Sequence, residues 1–284
     1  MMDAITAGVT YGSTLLEVDK VSLSFGELNT ASYRPILKNI SVKIRDVRRI
    51  GLTQGQVVGF LGPSGRGKTQ LFNIMSGLKP PTSGAVYVTE KRVPVTPQLV
   101  GVVDQHYTLF KHLTVGDMLK MAARKGGHTG SAAVDRAHAI LKRFQMKDRW
   151  SDYPASLSGG QRQRIAIAEQ ILCSQMFILM DEPFSGLDPN MKDEACDLIT
   201  EVAAMNELFT IVVVTHDIVS AALVSDKLWL LGHGTEPNGE TAKWSTIREE
   251  IDLVERDLAW HKGIEYTPKF TSLVREVRER FKTL

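Results

Sequence analysis

The sequence predicts an α/β fold, with a parallel sheet covered on both faces, an antiparallel β region ahead of it and a helical region inserted within it. Three observations carry this prediction. Val57–Leu61, Phe177–Met180 and Ile211–Val214 are continuously apolar, as parallel strands buried under helices on both sides are. Each run ends in glycines or polar residues, and helical patterns lie between them, which places function at the carboxyl ends of the strands. Val21, Leu23 and Phe25 alternate with Ser22 and Ser24, as in a strand with one covered face.

The remaining elements follow in chain order. Residues 84–103 read as short strands with turns and extend the antiparallel region. The stretch 113–172 reads as helical, with Ser131 as an N-cap and Val134, Ala137, Leu141 and Phe144 at helical spacing. Residues 15–232 form the predicted main domain and 233–284 a tail. Two amphipathic helices are expected in the tail. One carries Ile247, Ile251, Val254 and Leu258; the other starts at Thr267-Pro268 and carries Phe270, Val274, Val277 and Phe281. Arg275, Arg278, Arg280 and Lys282 give the second an outer face read as solvated.

Composition narrows the classes. A net charge of +2 over 284 residues gives no sign of a nucleic-acid partner. Cys173 and Cys196 are the only two cysteines, too few for a disulfide framework, and read as small buried hydrophobes in a reducing compartment. The longest apolar runs fall far short of the ~20 residues that cross a bilayer. The first residues, MMDAITAGVTYGSTLLEV, lack the basic start and apolar stretch of a signal peptide. A membrane role is therefore expected to come through a partner.

Two segments read as phosphate-seeking turns. Gly62, Pro63, Ser64, Gly65, Arg66, Gly67, Lys68 and Thr69 complete the pattern G-x-x-x-x-G-K-[ST] between a strand and a helix. Its glycines let successive N–H groups face phosphates, Lys68 reaches the β and γ phosphates, and the Thr69 hydroxyl can join an Mg²⁺ shell. Leu157–Arg164, LSGGQRQR, opens a second helix with bare N–H groups that also attract anions.

Carboxylates and two polar residues complete the candidate chemistry. Asp181 and Glu182 end the run Phe177–Met180, and consecutive strand residues point to opposite faces. Asp181 is therefore the candidate Mg²⁺ partner and Glu182 the candidate base for an attacking water. His216 ends the run TIVVVTHD and could hold the γ-phosphate and that water. Gln105, after VGVVD, could reach the ion or the water.

Together these motifs resemble, in order, those of the ATP-binding cassette ATPases. GPSGRGKT resembles the Walker A motif, LSGGQRQR the signature motif, FILMDEP the Walker B motif with its glutamate, and SGLDP, which contains Asp188, the D-loop. Gln105 falls at the Q-loop position and His216 at the switch position. The resemblance implies a P-loop NTPase (RecA-like) core with an antiparallel β subdomain and an α-helical subdomain at about 113–172. It implies ATP and Mg²⁺ as ligands, and Phe25 as the aromatic that stacks on adenine, with Tyr33 as the alternative. Gln70 stands where serine or threonine is common, and its backbone N–H can still serve the α-phosphate. The chain between Phe25 and Gly62 is longer than usual, at ELNTASYRP and RDVRRIGLTQ.

The resemblance also implies partners. Two cassettes pair head to tail, so Ser158, Gly159, Gly160 and Gln161 of one would close over the γ-phosphate held by the other. The second subunit is a copy or a relative. Transmembrane permease subunits would hold the pair at the cytoplasmic face of the inner membrane, with a substrate-binding protein as a further partner. HLTVGDMLKMAARK and THDIVSAALVSDKLWLL look like bacterial importers, nearest the nitrate, sulfonate and polar amino-acid type. The alternatives are an export or lipid-moving ATPase and a soluble cassette protein. The latter fits less well with one cassette and no sustained heptads.

Overall fold

The computed structural model describes residues 9–49, 54–173 and 176–284. Residues 1–8 of the N-terminal reading, and residues 50–53 of the second added segment, lie outside them.

Strands β1 (Val9–Phe25) and β2 (Arg34–Arg49) form a long antiparallel hairpin. β4 (Ser83–Val88) pairs antiparallel with β1, and β5 (Val93–Pro94) with β4. The parallel part is β3 (Gln56–Leu61), β6 (Gly101–Val103), β7 (Phe177–Asp181), β8 (Thr210–Thr215) and β9 (Lys227–Thr235). With β10 (Thr241–Asp252) they make one ten-stranded sheet, β5-β4-β1-β2-β10-β9-β3-β8-β7-β6. Every residue of β3, β7 and β8 is buried, as their unbroken apolar runs require.

Two expectations for the strands are corrected. Residues 84–103 do not all join the antiparallel region, because β6 pairs parallel with β7. Its Val103 lies opposite Met180, which brings Gln105 to the same end of the sheet as Glu182. The helix expected to carry Ile247, Ile251, Val254 and Leu258 does not form. Ile247 and Ile251 lie in β10, antiparallel to β9, while Val254 follows in a turn and Leu258 in irregular chain just beyond it. Four-residue spacing is an even number, so it satisfies a period-2 strand as well as a helical turn. Thr241, Trp244, Thr246 and Ile247, β-branched or aromatic, favour the strand. The expected boundary at 232 therefore falls inside β9, and the tail is woven into the sheet.

Seven α-helices surround this sheet among the described residues. α1 (Lys68–Met75) follows the phosphate loop. α2 (Val115–Lys125), α3 (Gly130–Arg143) and α4 (Gly159–Leu172) make up the predicted helical stretch. α3 begins one residue before Ser131, with Thr129 as N-cap, which corrects the expected cap. Of its expected stripe, Ala137, Leu141 and Phe144 are fully or almost fully buried. α5 (Pro189–Ala203) and α6 (Ile218–Val224) follow β7 and β8. α7 (Pro268–Phe281) starts as expected, with the Thr267 hydroxyl accepting from the Phe270 N–H. None of these helices is long and apolar enough to cross a membrane. Both cysteines are free; burial raises the Cys173 thiol pKa and pushes that of Cys196 up to about 12, so neither is poised to react.

One contact fixes the helical region. Trp150 stacks on the His138 ring at 3.8 Å, and its carbonyl accepts from the Gly116 N–H at 2.8 Å. A Cβ on Gly116 would lie 2.4 Å from the Trp150 indole. Gly116→Ala is therefore expected to lower stability by about 1–3 kcal/mol through overpacking. A shifted urea midpoint with an unchanged m-value checks this.

Candidate functional site

The parallel strands bring their carboxyl ends together. Leu61 lies opposite Thr215, and Asp181 opposite Val214, so the segments after β3, β8 and β7 sit side by side. The loop after β3 turns through Gly65 at φ 81° and Gly67 at φ 84°, the left-handed region that glycine enters without strain. Gly67 caps α1, so the loop delivers its free N–H groups at a helix N-terminus. Thr69 and Ser64 are exposed there. The Arg66 Nε is buried without a hydrogen-bond partner. Burial, and then the positive charge of Arg66, lower the pKa of the His233 imidazole.

Lys68 is buried, and its Nζ donates to the carbonyls of Gly62 at 2.9 Å and Pro63 at 3.3 Å. It also lies 3.5 Å from Glu182 Oε1. The other oxygen of Glu182 accepts from the Thr215 hydroxyl at 2.9 Å and the His216 N–H at 3.3 Å, and meets His216 Nδ1 at 2.9 Å. The sequence-predicted Lys68, Glu182 and His216 thus form one cluster. Thr215 joins it without having been foreseen, although it immediately precedes His216 in the sequence.

Asp181 is buried, and its Oδ1 has no hydrogen-bond partner. Burial raises the pKa of this carboxyl, as does neighbouring Glu182, while a hydrogen bond with Thr69 and the Lys68 charge oppose them. An orphan carboxylate oxygen beside a threonine hydroxyl suits a hard cation such as Mg²⁺, which takes few protein ligands and completes its shell from phosphate and water. Among the described residues no group of three His, Cys, Asp or Glu side chains forms a self-sufficient metal cage.

Gln105 donates to the Ser185 hydroxyl at 3.3 Å, which joins the segment after β6 to the loop after β7. Asp188 caps α5, accepting from the Met191 N–H at 3.0 Å. The Pro183 carbonyl, next to Glu182, accepts from the Tyr107 hydroxyl at 2.9 Å and the Gln163 amide at 3.3 Å. Sequence reasoning missed both donors. Phe25 is half exposed at the end of β1, and the Lys79 ammonium lies 4.1 Å from its ring centroid. That ammonium donates to Gln70 Oε1 at 2.8 Å.

The second turn stands apart. Ser158 caps α4, accepting from the Gln161 N–H at 3.2 Å, and Gln161 Oε1 accepts from the Ser158 N–H at 2.9 Å. This reciprocal box spends the side-chain oxygens of both residues on the helix end. Gly159 and Gly160 do not have positive φ, and a Cβ on either would meet nothing within 4 Å. Among the described residues, no hydrogen bond or ion pair joins Ser158–Gln161 to the phosphate loop.

The family described as ABC transporter matches residues 46–185. The arginine transport ATP-binding protein ArtM of Bacillus subtilis is 33% identical over 228 residues, 78% of this chain and 88% of that protein. The chain belongs to the ABC transporter family. It is an ABC ATPase. The thiamine import ATP-binding protein ThiQ of Shigella sonnei is 32% identical, covering 66% of this chain and 82% of that protein. The sulfate/thiosulfate import ATP-binding protein CysA of Synechococcus elongatus is 32% identical over 77% of this chain, which spans 60% of that longer relative. The ABC fold also appears in solved structures. CbiO1 from Clostridium perfringens matches with a TM-score of 0.69 at 21% identity, covering 95% of this chain and 97% of that one. The dimeric cassette MJ0796, bound to ADP and Pi, matches with a TM-score of 0.65 at 24% identity, covering 84% of this chain and 99% of that one.

Proposed function

We propose that this chain is the ATP-hydrolysing subunit of a membrane importer, working as one of a pair of cassettes that share their nucleotides. The reading rests on Gly159 and Gly160. Neither the backbone conformation nor a crowding neighbour in this chain requires glycine there. A bare helix N-terminus suits close approach by a phosphate held elsewhere, and the phosphate loop of a second cassette supplies one.

In this reading the loop 62–69 and the N-terminus of α1 hold the triphosphate, with Lys68 moving from the Gly62 and Pro63 carbonyls onto the β and γ phosphates. Phe25 offers its exposed ring to adenine. Asp181, Thr69 and Gln105 would hold Mg²⁺, and the ion would supply positive charge to the phosphates. Glu182 accepts a proton from the attacking water. The water oxygen bonds to the γ-phosphorus as the bond to the ADP oxygen breaks. Thr215 and His216 fix the Glu182 carboxylate, and the Nδ1 contact leaves His216 Nε2 to meet the water or the γ-phosphate. Asp188 and Ser185 hold the loop that follows Glu182 in place.

The transport role is supported by relatives that serve arginine, sulfate/thiosulfate and thiamine transport. A small organic or oxyanion nutrient is the corresponding cargo class. Permease subunits in other chains would tether the cassette to the inner membrane, at its cytoplasmic face, and a substrate-binding protein would deliver the cargo to them. Purification in detergent followed by mass spectrometry tests this reading. An integral membrane protein is expected to co-purify and to raise ATP turnover on reconstitution. A cassette that hydrolyses ATP alone, with no membrane chain bound and no response to one, would contradict it.

A further inference from the structure

Lys79 lies in the bend after α1, and its surroundings are unusual for a lysine. Its ammonium lies over the Phe25 ring and donates to the Gln70 side chain, and among the described residues no carboxylate pairs with it. Leu78 beside it is exposed, whereas Lys79 itself is partly buried. The cation is thus drawn inward toward two neutral partners and left with its charge uncompensated. Both partners belong to the nucleotide site: Gln70 is in the first turn of α1, two residues beyond Lys68, and Phe25 is the proposed adenine platform.

We propose that Lys79 is a nucleotide-binding residue that supplies positive charge to the α-phosphate end of an adenosine di- or triphosphate. This rests on the nucleotide-site reading above. Lys68 serves the β and γ phosphates. The phosphate joining the nucleoside to the rest is the α-phosphate, and a cation touching both the base platform and the first turn of α1 lies closest to that junction. The ring holds the ammonium in place by its quadrupole, a weak hold that a full anionic charge outcompetes. Gln70, which stands where serine or threonine is common in the family, acquires a purpose as the side chain that orients Lys79.

The chemistry fixes the kinetic signature. The α-phosphate does not change as the β–γ bond breaks, so its contact with Lys79 is equal in the ground and transition states. Such uniform binding sets KM and leaves kcat alone. Calorimetric titration of wild type, Lys79→Ala and Lys79→Arg with Mg-ADP, and with Mg-ATP in a Glu182→Gln background, tests this. Lys79→Ala is expected to bind both nucleotides about tenfold more weakly, with less salt dependence, an equally raised KM, an unchanged kcat and an unchanged melting temperature. Lys79→Arg is expected to restore most of the affinity. Unchanged or tighter binding, a loss confined to ATP, or a fall in kcat would overturn the proposal. Failure of the wild-type chain to bind ADP would sink the nucleotide-site reading itself. Normal wild-type binding matched by Lys79→Ala would sink only the role of Lys79.

Discussion

Glu182→Gln is expected to bind ATP at least as tightly as the wild type and to hydrolyse it about 10² to 10⁴ times more slowly. That is roughly 3 to 5 kcal/mol of barrier. The amide keeps the shape of the side chain, and its oxygen can still accept from the Thr215 hydroxyl and the His216 N–H. It lacks the charge needed to take a proton from water. Removing that charge also frees Lys68, whose Nζ lies 3.5 Å from Glu182 Oε1, and relieves repulsion of the γ-phosphate. Binding and chemistry should therefore move in opposite directions. Phosphate release in a single turnover separates the two. A rate within a few-fold of wild type would remove Glu182 from the role of base.

Gly160→Glu should stabilise the isolated chain and abolish its turnover. Glycine in a helix costs about 0.5–1 kcal/mol relative to alanine. A Cβ at Gly160 meets nothing within 4 Å, and the Ser158–Gln161 box is untouched by the change. A carboxylate in the first turn also favours the helix dipole, by about 0.3–1 kcal/mol. Urea unfolding of the monomer should therefore shift upward. The same carboxylate would stand where a partner's γ-phosphate has to come, and like charges oppose closure. A glycine that lowers the stability of its own chain is expected where the chain must admit something else. Full hydrolysis by Gly160→Glu would show that the turn serves no phosphate.

The fold shows which sequence signals are decisive. Runs buried on both faces have only one reading when they are short and bounded by turns, which is why β3, β7 and β8 stand where expected. α7 was legible because Thr267-Pro268 is local chemistry: a hydroxyl acceptor and a residue with no N–H to lose. β10 was not, since the spacing of Ile247 and Ile251 fits two periods, and pairing with β9 decided between them. The cap of α3 slipped from Ser131 to Thr129, two nearby residues of the same type. In the candidate site, Lys68, Glu182 and His216 come from contiguous motifs, and the structure brings them together. Thr215, Tyr107, Gln163 and Lys79 meet the candidate residues only through contacts made when the chain folds. Lys79 reaches Phe25 and Gln70 from a bend beyond α1, and no local pattern marks such a contact.

The proposed mechanism requires one nucleotide to be held by two chains. Sedimentation velocity of the Glu182→Gln variant with Mg-ATP, with Mg-ADP, and with Gly160→Glu added, tests this. A dimer is expected with Mg-ATP alone, and monomers with Mg-ADP. Monomers that still bind ATP are expected when Gly160→Glu is present. A chain that stays monomeric with Mg-ATP bound, or a dimer that forms equally well with Gly160→Glu, would contradict it.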